Sequence, residues 1–242
     1  MTDQYAVIGN PISHSQSPLI HSEFAKQTGQ NIVYDRLSAP LDGFDRVASA
    51  FVGQGGKGLN ITLPFKGDAF RLAHQLTSRA SVCEAVNTLT FKDGVIYGDN
   101  TDGVGLVRDI VENLDMPIAG KRVLLLGAGG AVRGVLLPLL EEKPASLTVA
   151  NRTVEKAQAL ASQFAPYGAV RAVGYPDLMG EQFDIIINGT STSLHDELPP
   201  IPHGVFAPDA LAYDMVYSAG LTPFLKRAQQ EKAGMLADGL GM

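Results

Sequence analysis

The chain has 242 residues, of which 45% are hydrophobic and 18% charged, and its formal net charge is −6 at pH 7. This composition is typical of a folded globular protein and excludes a disordered one, and the length suits one large domain or two modest ones. The acidic balance argues against a nucleic-acid-binding protein, whose contact surface would be basic.

The cysteine and histidine content and the length of the apolar segments exclude further classes of protein. Cys83 is the only cysteine, which excludes an internal disulfide and a cysteine-rich metal site. The five histidines lack metal-ligand spacing, so we expect no metal. The sequence shows neither the ~20 consecutive apolar residues that span a bilayer nor a secretory signal. We therefore expect a cytoplasmic protein with no membrane partner.

Strand-like runs alternate with helical patterns along the first half, which predicts an α/β fold with a mainly parallel sheet. The predicted strands cover residues 5–8, 32–37, 58–61, 88–92 and 95–97. The predicted helices cover residues 18–27, 41–54, 65–74 and 78–84. Asp93-Gly94 is a hairpin signal, and Ser17 is predicted to cap the helix that begins at Pro18.

The same alternation continues in the second half. A helix over 103–114, introduced by Thr101-Asp102, precedes a break at 117–121. The later strands are predicted at 122–126, 146–150, 184–188 and 211–215, and the later helices at 131–141, 154–164 and 222–232. We place a domain boundary near residue 101.

The stretch "GNPISHSQSP" (9–18) is a strand-to-helix turn that is rich in hydroxyls and contains no Lys or Arg. One interpretation is turn chemistry with a helix cap. The other is an anion site, because hydroxyls and the N–H groups of a helix N-terminus can hold a carboxylate. The residues alone leave both open.

The stretch "RVLLLGAGGAVRG" (122–134) has the strand, glycine-rich turn and helix of a dinucleotide-binding fingerprint. Gly127 would make the tight turn, and Gly129 would let the backbone approach a pyrophosphate. Val132 stands where the third glycine or alanine belongs, and Ala131 and Gly134 are the small residues that could allow close helix–strand packing instead. A tight turn without a ligand is the alternative.

The end of the next strand indicates which dinucleotide is bound. NAD-binding units usually place Asp or Glu there, whereas this chain has Asn151-Arg152-Thr153 and then Lys156. A guanidinium can pair with a 2′-phosphate in bidentate fashion, so the segment predicts NADP. The alternative is that Asn151 and Thr153 only cap the following helix.

Two further stretches carry candidate catalytic groups, Lys66 in "GLNITLPFK" (58–66) and Asp102 in "GDNTDG" (98–103). Singly, each has an ordinary explanation, a solvated lysine or a helix cap. Together with the others they resemble the motifs of shikimate dehydrogenase, in order and along almost the whole chain. The stretches that carry the resemblance are "GNPISHSQSP", "NITLPFK", "AVNTL", "GDNTDG", "LLLGAGGA", "NRT", "YDMVY" and "ADGLGM".

The resemblance implies a fold and an activity. It implies an N-terminal α/β substrate domain (1–101) with a mainly parallel sheet, a Rossmann-type NADP-binding domain (102–236), and at 237–242 the start of a segment returning to the first domain. The implied reaction is the reversible NADPH-dependent reduction of 3-dehydroshikimate to shikimate in aromatic amino-acid (chorismate) biosynthesis, by a monomer or homodimer. It also implies that the natural chain continues past Met242 and carries a glutamine that contacts the substrate.

The resemblance also assigns roles to residues. Lys66 and Asp102 are the implied catalytic residues. The implied substrate contacts are Ser15, Ser17, Thr62, Lys66, Asn87, Asp102 and Tyr217. The implied cofactor contacts are Gly127, Ala128, Gly129, Gly130, Ala131, Asn151, Arg152, Thr153, Lys156, Met215 and Gly239; Lys156 stands where the family often has arginine.

These assignments are chemically reasonable. Reduction of a ketone develops an alkoxide, which needs a proton and nearby positive charge. Lys66 offers both, as proton donor or as an electrostatic group, and Asp102 would orient it. Two alternative functions remain. An NAD-using quinate/shikimate dehydrogenase would be expected to carry an acidic residue near position 151. A non-catalytic NADP-binding regulatory module would be expected to lack Lys66 or Asp102.

Overall fold

The computed structural model describes residues 2–242, apart from the side chain of residue 194. The chain forms two compact units, Met1–Thr101 and Asp102–Met242. The strands of the first unit are β1 (Asp3–Gly9), β2 (Ile32–Ser38), β3 (Gly58–Ile61), β4 (Gln75–Leu76), β5 (Thr88–Lys92) and β6 (Val95–Asp99). Its helices are α1 (Ser17–Thr28), α2 (Phe44–Gly53), α3 (Lys66–Leu72) and α4 (Ser78–Cys83).

The first unit is built on a mixed, largely parallel sheet with the strand order β2-β1-β3-β5-β6-β4. β1 pairs in parallel with β2 and β3, whereas β5 is antiparallel to β3 and β6. Alternation places Ala6 and Ile8 in one buried cluster and Val7 in another, on the opposite face. The pairs Asn60–Thr88 and Thr88–Asp99 bring the ends of β3 and β6 and the start of β5 to one sheet edge.

The second unit is built on a fully parallel sheet. Its strands are β7 (Arg122–Leu126), β8 (Ser146–Ala150), β9 (Arg171–Val173), β10 (Phe183–Asn188), β11 (Phe206–Asp214) and β12 (Met235–Asp238). Its helices are α5 (Asp102–Arg108), α6 (Gly130–Glu141), α7 (Val154–Phe164) and α8 (Pro223–Gln230). The strand order β12-β11-β10-β7-β8-β9 is that of a doubly wound dinucleotide-binding fold. The predicted α/β class with mainly parallel sheets is confirmed.

Several local predictions were wrong in detail. Ser17 is the first residue of α1, whose N-cap is Gln16, so Ser17 does not cap the helix. The helix expected over 103–114 is α5 followed by a π-helical turn at Asp109–Asn113. The strands β4, β9 and β12 were not predicted, because they are short and incompletely buried and lack a long apolar run.

The described residues contain neither a membrane-spanning helix nor a metal-binding cluster. Within 2–242, no helix is long and apolar enough to cross a membrane. In the same range, no group of three or more His, Cys, Asp or Glu side chains could hold a metal ion.

Candidate substrate and cofactor sites

In the first unit, the loop after β1 lies directly against the loop after β3. The Asn10 N–H donates to the Leu63 carbonyl at 2.9 Å. A Cβ on Gly9 would lie 2.5 Å from Thr62 Cγ2, a distance that real Cβ contacts do not reach. Glycine is therefore required at position 9 for the two loops to meet at this edge.

The hydroxyls of the first loop begin a chain of hydrogen bonds. Ser15 Oγ donates to Ser17 Oγ at 3.1 Å and accepts from the Ser17 N–H at 3.3 Å. The Ser17 side chain also hydrogen-bonds the Tyr34 hydroxyl, whose pKa is raised above its ordinary value by burial. Tyr34 Oη in turn donates to Asn60 Oδ1 at 2.7 Å, and the His21 ring stacks on Tyr34 with 4.1 Å between ring centroids.

The same series of hydrogen bonds continues along the sheet edge. Asn60 Nδ2 donates to Thr88 Oγ1 at 3.3 Å, and Thr88 Oγ1 donates to Asn87 Oδ1 at 2.9 Å. Asn87 Nδ2 donates to Thr101 Oγ1 at 3.0 Å, and the Thr101 N–H donates back to Asn87 Oδ1 at 3.0 Å. Side-chain hydrogen bonds thus connect the first loop to the last residue of the unit.

Lys66 is placed at this edge by the backbone. It is the first residue of α3, and its carbonyl accepts from the Val86 N–H at 2.9 Å, one residue before Asn87. Thr62 is held beside β1, because its N–H donates to the Ile8 carbonyl at 3.0 Å. The side chains of Thr62, Lys66 and Asn87 are each half-buried, which leaves them accessible to a ligand.

The segment after β6 is held by an acidic side chain. Asp99 accepts from Arg79 at 2.7 and 2.5 Å, from Thr77 Oγ1 at 2.7 Å and from the Asn100 N–H at 2.7 Å. The hydrogen bonds of the Arg79 guanidinium hold the pKa of Asp99 below its usual value. Asp99 is thus a structural anchor for the "GDNTDG" stretch.

Asp102 begins the second unit as the first residue of α5, and it is 8% exposed. A carboxylate at a helix N-terminus is favoured by the helix dipole. The next residue packs closely on α6, because a Cβ on Gly103 would lie 2.6 Å from both the Gly134 carbonyl oxygen and Pro138 Cγ. The absence of a side chain at Gly103 therefore allows α5 to approach α6 at Gly134.

The glycine-rich turn between β7 and α6 has the geometry of a phosphate-binding loop. Gly127 has a φ of +107°, which favours glycine, and its N–H donates to the Ala150 carbonyl at 2.8 Å. A Cβ on Gly129 would meet nothing within 4 Å, so the turn is open above the start of α6. The fingerprint's departure at Val132 is accommodated by Gly189, where a Cβ would lie 2.5 Å from Val132 Cγ2.

The segment after β8 lies next to that turn, because Ala150 is paired with Leu126 in the parallel register. Asn151 Nδ2 donates to the Thr153 carbonyl at 2.8 Å, and Thr153 occupies the N-cap position of α7 without a side-chain cap. Arg152 and Lys156 are exposed. Arg152 lies in the turn after β8 and Lys156 in the first turn of α7. These two cations are suited to bind a phosphate, since the Asn151–Thr153 turn contains no carboxylate.

A buried carboxylate at the end of β11 was not predicted from the sequence. Asp214 is 0% exposed and accepts from Thr222 Oγ1 at 2.6 Å, Ser193 Oγ at 2.7 Å, the Val216 N–H at 3.1 Å and Asn188 Nδ2 at 3.2 Å. Burial raises its pKa, and these hydrogen bonds act in the opposite direction. Asp214 lies within the quoted "YDMVY" stretch, but residue spacing could not show which donors would surround it.

Met215, Tyr217 and Gly239 lie just beyond the ends of their strands. The Met215 N–H donates to the Asn188 carbonyl at 2.9 Å, and a Cβ on Gly239 would lie 2.3 Å from the Met215 carbonyl oxygen. A Cβ on Gly189 would lie 3.2 Å from Met215 Sδ. Met215 is therefore enclosed by two glycines at the carboxyl edge of the second sheet.

Each unit gathers its own set of sequence-predicted residues at one sheet edge. The first unit gathers Ser15, Ser17, Thr62, Lys66 and Asn87. The second unit holds Asp102 and Tyr217 and, at the carboxyl ends of its strands, the glycine-rich turn 127–131, Asn151, Arg152, Thr153, Lys156, Met215 and Gly239. Ligands of doubly wound folds bind at that edge.

Comparison with known proteins assigns the chain to a family. The model of the shikimate dehydrogenase substrate-binding domain matches residues 7–89, and the model of shikimate/quinate 5-dehydrogenase matches residues 106–195. The shikimate dehydrogenase (NADP+) of Chromobacterium violaceum is 74% identical over 242 residues, which cover 100% of this chain and 89% of that protein.

Solved structures agree with this assignment. The shikimate dehydrogenase of Aquifex aeolicus has 33% identity and a TM-score of 0.88, covering 99% of this chain and 87% of that one. The shikimate dehydrogenase of Thermus thermophilus, solved in complex with NADP(H) and shikimate, has 29% identity and a TM-score of 0.87. The match covers 99% of this chain and 88% of that one. The chain belongs to the shikimate dehydrogenase family.

Proposed function

We propose that this chain catalyses the reversible NADPH-dependent reduction of 3-dehydroshikimate to shikimate in aromatic amino-acid biosynthesis. The 74% identity to a shikimate dehydrogenase (NADP+) over the whole chain carries the proposal. Both candidate catalytic residues are present, which argues against a non-catalytic module, and Arg152 in place of an acidic residue argues against an NAD-specific relative.

The residues of the second unit fit NADP. The open turn at Gly129 leaves room for a pyrophosphate, and the N-terminus of α6 offers N–H groups to it. In the proposal, residues 127–131 contact the pyrophosphate, Asn151–Thr153 and Lys156 hold the 2′-phosphate, and Met215 and Gly239 contact the nicotinamide side. When bound, NADPH supplies a hydride to the ketone carbon.

The remaining chemistry belongs to side chains. Ser15 and Ser17 bind the substrate carboxylate, and Thr62, Asn87, Asp102 and Tyr217 bind its other oxygens. Lys66 stabilises the alkoxide that develops from the ketone, by its charge and its proton, and Asp102 orients the ammonium group. Residues 1–101 are thus proposed as the substrate domain and 102–236 as the NADP domain.

The test is a spectrophotometric assay of shikimate oxidation with NADP and NAD in parallel, and with quinate as a second substrate. We expect turnover with shikimate and NADP to exceed that of every other pair. Equal turnover with NAD, or a preference for quinate, would contradict the assignment. Because NADPH and an anionic substrate do not cross a bilayer unaided, we place the enzyme in the cytoplasm. We propose that it acts as a monomer or homodimer.

A further inference from the structure

The loop that is proposed to bind the substrate carboxylate contains no Lys or Arg between residues 9 and 18. The fold brings a cation to it from β2. Arg36 donates to the Ser15 carbonyl through both Nε, at 2.9 Å, and Nη2, at 2.5 Å. Two donors of one planar guanidinium on one oxygen fix the direction of the Ser15 carbonyl.

Strand periodicity explains why Arg36 reaches this loop. Tyr34 and Arg36 are two residues apart on β2, so their side chains point to the same face of the sheet. Tyr34 hydrogen-bonds the Ser17 side chain, and Arg36 holds the Ser15 backbone. Neighbouring positions on one strand therefore support both serines of the loop.

We propose that Arg36 is a positioning residue for recognition of the substrate carboxylate, acting through Ser15. By orienting the Ser15 backbone, it sets the direction of a hydroxyl whose residue is only 7% exposed. Its charge beside the loop also favours an anion over a neutral group. The inference rests on the proposed function, because it concerns the carboxylate of that substrate.

Its test uses Arg36→Ala and Arg36→Lys, with Arg46→Ala as the matched control. Arg46 is an exposed arginine on α2 of the same unit, so its removal makes the same change in charge. The dissociation constants of shikimate and of its methyl ester are measured by calorimetry without cofactor, so that no turnover occurs, and KM and kcat are measured for shikimate with NADP. The ester keeps the ring and its hydroxyls but carries no charge.

We expect Arg36→Ala to raise the dissociation constant and KM for shikimate roughly 10-fold, as for loss of a charge-assisted hydrogen bond, with a much smaller change in kcat. Arg36→Lys, which keeps the charge and one donor group, should lose about threefold. Binding of the ester should change little in either variant, and Arg46→Ala should behave like the wild type.

Two results would overturn this inference and leave the proposed function intact. One is that Arg36→Ala binds shikimate as tightly as the Arg46→Ala control does. The other is that Arg36→Ala loses equal affinity for shikimate and for the ester, which would indicate a purely structural role for Arg36. If Arg36→Ala does not fold, the same comparison is made with Arg36→Lys. A wild-type chain that fails to bind shikimate would contradict the proposed function and this inference with it.

Discussion

Gly9 lies so close to Thr62 that a Cβ on Gly9 would fall 2.5 Å from Thr62 Cγ2. The same Cβ would lie 3.2 Å from the Leu63 carbonyl oxygen, on a backbone that cannot move without carrying the whole loop. This contact joins the serine-rich loop (residues 9–18) to the loop that leads into Lys66. Because Gly9 has no side chain, these two loops of the proposed substrate site can pack together.

The first prediction concerns this contact. We expect Gly9→Ala to lower the free energy of unfolding by about 1–3 kcal/mol, as for an overpacked core position, and to raise KM for shikimate. Urea denaturation and steady-state kinetics measure the two effects. Gly53→Ala is the control, because a Cβ on Gly53, at the end of α2, meets nothing within 4 Å. Equal stability of the two variants would show that the loops separate easily.

The second prediction separates chemistry from binding at Lys66. We expect Lys66→Ala to lower kcat by about 100-fold while KM for shikimate changes far less, because the charge and proton act on the alkoxide of the transition state. The hydrogen bond from the Val86 N–H to the Lys66 carbonyl survives the substitution, so the fold should be retained. Lys57→Ala, an exposed lysine of the same unit, is the control. Near-normal turnover of Lys66→Ala would remove Lys66 from the mechanism.

The third prediction concerns the choice of cofactor. We expect Arg152→Ala to weaken NADP binding by roughly 1.5–3 kcal/mol, the range for a hydrogen bond to a charged group, and to leave NAD binding nearly unchanged. Titration of each dinucleotide against the variant measures both affinities. The control is Arg108→Ala, an exposed residue whose nearest acidic partner, Glu112, lies 3.7 Å away. Equal losses for NADP and NAD would show that Arg152 supports the fold and not the phosphate.

The fourth prediction concerns Asp214. Asp214→Ala leaves donors from Thr222, Ser193 and Asn188 without their acceptor. Those of Thr222 and Asn188 are buried, so we expect a loss of about 3 kcal/mol or more in unfolding free energy. We also expect weaker NADP binding, because these residues hold the loops around Met215. Chemical denaturation and a cofactor titration measure these effects. A variant as stable as the wild type would show that water replaces the carboxylate without cost.

The pH dependence of the same residue has a definite sign. Because burial raises the pKa of Asp214 in the folded state, its contribution to stability is fully present below the unfolded pKa and is lost as pH rises through the folded pKa. We therefore expect the stability of the wild type relative to Asp214→Asn to fall as pH rises above the ordinary pKa of an aspartate, about 3.9. Denaturation curves at several pH values measure it.

Asp99 provides the matched control of opposite sign. Its pKa is lowered by Arg79, so its contribution is present above the unfolded pKa and is lost as pH falls through the folded pKa. The stability of the wild type relative to Asp99→Asn should therefore rise with pH in the interval below the ordinary pKa of an aspartate, about 3.9. Two variants that titrate in the same direction would contradict one of the two assignments.

Features that depend on a local pattern of residues could be predicted from the amino-acid sequence. The apolar strand, glycine turn and helix at 122–134 predicted the dinucleotide-binding unit, because tight turns and helix starts restrict which residues can stand there. Arg152, two residues after β8, predicted NADP. In a dinucleotide-binding fold, the segment after the second strand lies beside the glycine turn and contacts the ribose that carries the 2′-phosphate. The family motifs added roles for Lys66 and Asp102 that neither residue could indicate singly.

Contacts between side chains that are far apart in the sequence could not be predicted and are seen only in the folded chain. Arg36 reaches Ser15 across 21 residues of chain, Tyr34 reaches Asn60 across 26, and Asn188 reaches Asp214 across 26. Such contacts follow from strand order and register, which bring together residues with no fixed spacing in the chain. The short strands β4, β9 and β12 likewise depend on hydrogen bonds to neighbouring strands, and an isolated segment has no neighbour to supply them.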